Sequence, residues 1–106
     1  MRNRDRNKIM NDTGIRDHVI EEIRMLAEKY QIEKIYLFGS RARGDYHRTS
    51  DIDLAVSGGD FDRFALDIDE DTSTLLKFDI VDLNRSVHPE LLDAIQKEGR
   101  VLYEKV

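Results

Sequence analysis

Leu37-Phe38-Gly39-Ser40-Arg41-Ala42-Arg43-Gly44, followed after a polar loop by Ser50-Asp51-Ile52-Asp53-Leu54-Ala55-Val56, is the stretch around which the chain is organised. An apolar run stops at Gly-Ser. Ten residues separate Ser40 from Asp51, and two aspartates then take alternate positions of a second apolar run. Side chains two apart on a strand share a face, so Asp51 and Asp53 point one way while Ile52, Leu54 and Val56 point into a core. Two rises of about 3.3 Å set the aspartate backbones roughly 6.6 Å apart. Carboxylates at that spacing can bracket one Mg²⁺ or two, since hard cations take oxygen ligands and Mg²⁺ keeps only one or two protein carboxylates beside substrate phosphates. Gly39 allows a sharp turn and close approach of the backbone to a ligand. The Ser40 hydroxyl adds a donor there, and Arg41 and Arg43 can neutralise phosphate charge. Gly-Ser alone is an ordinary strand-ending turn, and Asp-x-Asp alone is a pair of solvent-facing acids. Together they suggest a phosphate-gripping turn set beside a carboxylate pair that holds metal. No Gly-Lys-Ser/Thr follows, so the turn is not a P-loop.

The flanking sequence reads as scaffold. Residues 1–12 are polar and mostly basic, and are expected to be a frayed leader ahead of one domain over 13–106. Asp12 or Thr13 is placed to cap a helix reaching about Tyr30, with Ile15, Val19, Ile23, Leu26 and Tyr30 on the buried stripe. Arg16, Glu21, Glu22, Arg24 and Glu28 are expected on its other faces. Ile35 to Phe38 and Asp51 to Val56 read as strands, joined by a short helix or turn over Ser40 to Gly44 and a polar loop. Asp60 can cap a helix carrying Phe61, Phe64, Ala65 and Ile68. The acids Asp67, Asp69, Glu70 and Asp71 that follow lack the glycine and terminal glutamate of a calcium loop, and read as a solvated helix end.

Lys77 to Leu83 alternates as a third strand and contributes another carboxylate. Asp79 shares a face with Val81, and it joins Asp51 and Asp53 if the two strands pair. Asp82 lies on the opposite face and is held in reserve. Pro89 fits the first turn of a helix covering Leu91, Leu92 and Ile95, with Gly99 stopping it. Arg100 to Lys105 reads as a strand at a sheet edge. Helices alternating with strands imply an α/β layered sheet. His18, His47 and His88 read as surface or structural residues.

Composition narrows the function classes. The 106 residues suit one modest core, and charged residues at 37% against 40% hydrophobic describe a soluble protein. No run approaches a membrane span and no signal pattern opens the chain, so the cytoplasm is the expected location. Zero cysteines exclude thiolate metal sites. A net charge of −5 argues against a dedicated nucleic-acid-binding module, which needs a basic face. A small nucleotide is compatible with it, because divalent ions bridge carboxylates to phosphates.

Gly39-Ser40, ten residues, Asp51-x-Asp53 and the later Asp79 together resemble the polymerase-β-type nucleotidyltransferases. Ser40-Arg41-Ala42-Arg43-Gly44, Ser50 to Leu54 and Phe78-Asp79-Ile80-Val81-Asp82-Leu83 are similar to the stand-alone minimal branch of that superfamily. The resemblance implies a small mixed sheet of about four strands flanked by helices, and two-metal chemistry. Ser40 and nearby amides would hold the β- and γ-phosphates of ATP. Asp51 and Asp53 would bind the nucleotide-side Mg²⁺, and with Asp79 a second. It further implies a HEPN-domain toxin partner carrying the acceptor tyrosine, the chain being an antitoxin that transfers AMP within a hetero-oligomer. A non-catalytic antitoxin acting by contact, and a transferase acting on an RNA end or small molecule, are the competing readings; the last two usually carry added substrate domains.

Overall fold

A computed structural model describes residues 11–106. Of the leader expected over residues 1–12, residues 1–10 lie outside the described residues. Residues 11 and 12 belong to a 3₁₀ turn, Asn11–Thr13, and the Asp12 carboxylate pairs with Arg100 at 2.9 Å. Four helices and four strands follow: α1 (Asp17–Lys29), β1 (Lys34–Phe38), α2 (Ser40–Arg43), β2 (Ile52–Ser57), α3 (Phe61–Asp71), β3 (Phe78–Asp82), α4 (Pro89–Glu98) and β4 (Arg100–Glu104). The strands form one mixed sheet in the order β3-β2-β1-β4. β1 is antiparallel to both β2 and β4, and β2 is parallel to β3. A parallel pair needs a crossover, which α3 supplies. The expected mixed sheet and the edge position of the last strand are both present.

The sheet buries its two faces unequally. On one face Ile35, Leu37, Ile52, Leu54, Val56 and Leu102 pack under α1 and α3, which contribute Val19, Ile23, Ala27, Phe64 and Ile68. On the other face the cluster is small: Phe38, Ala55 and Ile95 of α4, edged by Tyr36, Val81, Leu83 and Leu91. The second face is therefore covered over only part of its length. The Asp53 end lies on this face, since Asp53 pairs with Phe38 across the β1–β2 ladder. No helix among the described residues is long and apolar enough to cross a membrane.

Local chemistry moves several expected boundaries. α1 starts at Asp17, not at Asp12 or Thr13. The Thr13 hydroxyl accepts from the Ile15 amide at 3.2 Å, which closes a separate turn, and Arg16 precedes the helix without a side-chain cap. Arg24, expected on a polar face, is buried; its Nε donates to the Leu102 carbonyl at 2.9 Å and an η-nitrogen pairs with Glu21 at 3.2 Å. The aliphatic stem of arginine lets it pack along an apolar seam while the head finds partners. Asp60 caps α3 as expected, accepting from the Arg63 amide at 3.3 Å, and Pro89 opens α4. Leu92, expected to be covered, is exposed, whereas Ile95 is buried. The acidic end of α3 is in part a structural contact, for Asp67 accepts from the Tyr30 hydroxyl and faces Lys29.

Candidate active site

The parallel register of β2 and β3 sets Asp53 directly opposite Asp79. Neighbouring strands lie about 4.8 Å apart, so the two backbones are adjacent. Asp51, the expected first residue of this strand, stands immediately before β2, which begins at Ile52. It lies between the incoming loop and the ladder, whose first bond runs from the Ile52 amide to the Lys77 carbonyl at 2.8 Å. Asp53 is half-buried, while Asp51 and Asp79 are exposed. Asp82 pairs with Val56 on the other face and is taken up by Arg85 at 3.2 Å, so it does not join the three.

Electrostatics couple Asp53 to the other two carboxylates. The Asp53 carboxyl is pushed up to about 6. Burial is the largest cause, the charges of Asp79 and Asp51 add to it, and Arg43 opposes it. Gly39 makes room for this carboxylate. It adopts φ +76°, and a Cβ there would overlap the Asp53 carboxylate oxygen. Three carboxylates around such a space are a donor set suited to a hard divalent cation. As they stand, no three acidic or imidazole groups among the described residues are grouped closely enough to hold an ion. Mutual repulsion of like charges favours that spread, and a cation would offset it.

Gly39 also forms the entrance to α2. Its carbonyl accepts from the Ala42 and Arg43 amides, each at 3.1 Å, and Ser40 is the first helical residue. Gly44, left-handed at φ +94°, ends the turn. The Gly39-Ser40 corner thus opens beside the Asp53 carboxylate.

The two arginines of α2 part company. Arg43 is half-exposed, paired with Asp45 at 3.3 Å and Glu98 at 3.1 Å, and those partners hold it firmly charged. Its charge also bears on Asp53, lowering the carboxyl's pKa against burial and the neighbouring acids. Arg41, expected to meet phosphate, is 1% exposed. Its Nε donates to the Ser50 carbonyl at 3.0 Å, one η-nitrogen to Thr13 at 3.0 Å, and the other to Arg48 at 3.1 Å and His47 at 3.4 Å. The guanidinium lies 4.8 Å from the Tyr46 ring centre. Burial draws its pKa down, and Tyr46 partly opposes that. Each of its three nitrogens donates to a backbone carbonyl, so Arg41 is engaged within the fold and is not turned to a phosphate. The sequence held a signal for this division: residues two apart in a helix do not face the same way. Glu98, by contrast, carried no local signal, since it reaches Arg43 from a distant helix. His47 is exposed, and its amide donates to the Ser50 hydroxyl at 2.8 Å. His88 precedes α4 and its carbonyl accepts from Leu92 at 3.0 Å.

Comparison with known proteins identifies the family. The family described as "Polymerase beta, Nucleotidyltransferase" matches residues 21–106. The chain is 41% identical over 99 residues to MJ0604 of Methanocaldococcus jannaschii, to which a protein adenylyltransferase activity is attributed; the match covers 78% of this chain and 92% of that one. Among solved structures, a toxin–antitoxin crystallised with AMP-PNP is 30% identical at a TM-score of 0.62, covering 81% of this chain and 73% of that one. The toxin–antitoxin MntA-HepT shares the fold, at 23% identity and a TM-score of 0.62 over 85% of this chain and 74% of that one. The carboxylate-bearing sheet, the Gly-Ser corner and these matches together make the chain a nucleotidyltransferase of the polymerase-β family.

Proposed function

We propose that the chain is an adenylyltransferase moving AMP from ATP to a protein hydroxyl, a tyrosine of a HEPN-domain toxin, and so acts as an antitoxin. The observation that carries the reading is the register that sets Asp53 against Asp79, with Asp51 and the Gly39-Ser40 corner alongside. Support for ATP comes from the similar toxin–antitoxin crystallised with AMP-PNP, and support for a protein acceptor from the relative named for protein adenylyltransfer. In this reading Asp51, Asp53 and Asp79 hold Mg²⁺, whose charge would offset that of the triphosphate and lower the pKa of the acceptor hydroxyl. Ser40 donates its hydroxyl to the terminal phosphates, and Gly39 gives them room. Arg43 turns from Asp45 and Glu98 to the same phosphates. The acceptor oxygen forms a bond to the α-phosphorus while the bond to the bridging oxygen breaks, and pyrophosphate leaves as the acceptor's proton passes to solvent.

The test is incubation with α-labelled ATP, Mg²⁺ and a HEPN-domain protein encoded beside it. Label should appear on that protein and be lost with Asp51→Ala and Asp53→Ala. Neutralisation that survives both substitutions would replace transfer with inhibition by contact. Label on an RNA end or a small-molecule hydroxyl in place of the protein would change the acceptor class.

A further inference from the structure

Arg41 stands in the motif that the site is built on, yet nothing in the transfer step uses it. It is a fully charged type of side chain, buried almost completely, with no carboxylate within its reach among the contacts it makes. Every nitrogen of the guanidinium instead donates to a backbone carbonyl. Those carbonyls come from two places. Thr13 belongs to the 3₁₀ turn ahead of α1, and His47, Arg48 and Ser50 belong to the loop that delivers the chain to Asp51.

The geometry is a bridge across the ten-residue loop. Arg41 follows Ser40 directly, and the carbonyl its Nε holds at 3.0 Å belongs to Ser50, the residue just before Asp51. One side chain therefore links the backbone beside the phosphate corner to the backbone beside the first carboxylate. Neighbouring residues reinforce the link. Tyr46 lays its ring against the guanidinium, and Gly14, at φ +73°, leaves the space: a Cβ there would meet the Tyr46 ring and an Arg41 η-nitrogen. Within the loop His47 and Ser50 bond to one another twice, at 2.8 and 3.1 Å. Asp51 needs this help more than Asp53 does. Asp53 is held by ladders on both sides, whereas Asp51 precedes the strand.

We propose that Arg41 is a positioning residue, fixing the 45–50 loop so that Asp51 stands beside Asp53 and Ser40. The inference rests on the reading of Asp51 and Asp53 as metal ligands. A planar fork with five fixed donors suits four carbonyls in a way that a lysine ammonium does not. Arg41→Lys keeps the charge and loses the fork.

The experiment uses the full chain, with Mn²⁺ as the probe, and reads hydrogen exchange and metal affinity together. In Arg41→Lys the amides of residues 47–52 should exchange at least tenfold faster while those of the central strands stay unchanged, and Mn²⁺ affinity should fall about 10- to 100-fold, the usual effect of removing a residue that orients a metal ligand. Tyr46→Leu keeps all the hydrogen bonds, and should weaken Mn²⁺ binding roughly threefold through loss of the ring contact; it decides the matter if Arg41→Lys does not fold. A loosened loop with wild-type Mn²⁺ affinity would overturn the inference, leaving Arg41 merely structural. So would unchanged exchange in the loop. Wild-type protein that binds no Mn²⁺ would overturn the metal reading itself, and this inference with it, before any variant is compared.

Discussion

At Asp53 a carboxylate is carried partway into the sheet beside two others, and its pKa rises from an ordinary 3.8 to about 6. The folded chain thus holds this proton more tightly than the unfolded chain does. Stability from the group is fully present below about pH 4, declines as pH rises towards 6, and is absent above that. Asp53→Asn removes the penalty of ionisation. Solvent reaches this half-buried position, so the gain at pH 7.5 is expected to be about 1 kcal/mol, smaller than the full shift would imply. Urea melts in chelator should show the variant more stable at pH 7.5 and equal to wild type near pH 4; a variant less stable at both would show that ionised Asp53 carries no such penalty. The same substitution is expected to abolish transfer. Legibility at this scale followed strand alternation: it marked Asp53 and Asp79 and set Asp82 aside. It failed at Arg41, because burial of a charged fork is decided by carbonyls from remote segments, which no local pattern announces.

Elements were legible where one period dominated. The strand expected over Lys77 to Leu83 forms over Phe78–Asp82, and the Asp60 cap and the Pro89 helix start lie where the sequence placed them, since each depends on near neighbours. The start of α1 was misplaced: the Thr13 hydroxyl accepts from the Ile15 amide, two residues on, and the helix begins only at Asp17. Asp51 fell outside β2 because the ladder begins one residue later, with the Ile52 amide on the Lys77 carbonyl. Of the helices, α3 matters most to the site without touching it, being the crossover that makes β3 parallel to β2 and so aligns Asp79 with Asp53. Its start depends on the Asp60 carboxylate. Asp60→Ala is expected to lower unfolding free energy by about 1 kcal/mol. Denaturant titration checks the value, and transfer by the folded variant should match wild type, since packing of Phe64 and Ile68 still fixes the crossover.

Across the whole molecule, the sheet order places the most apolar strand, β1, between partners that are far apart in sequence. One is β2, which follows soon after; the other is β4, over residues 100–104. A chain stopped at Gly99 therefore leaves Lys34-Ile35-Tyr36-Leu37-Phe38 as an open sheet edge, the kind of surface that pairs with other chains. Such a chain is expected to self-associate and to bind no Mn²⁺, as light scattering and titration would show; a monomeric truncated chain with intact binding would contradict it. The order of synthesis gives this a temporal side. The Gly-Ser corner and all three aspartates leave the ribosome well before β4 does, with β1 flanked on one side only. The nascent chain thus carries the Gly-Ser corner and the three aspartates for some interval before it has a finished sheet to hold them, and chaperones have that interval in which to shield β1.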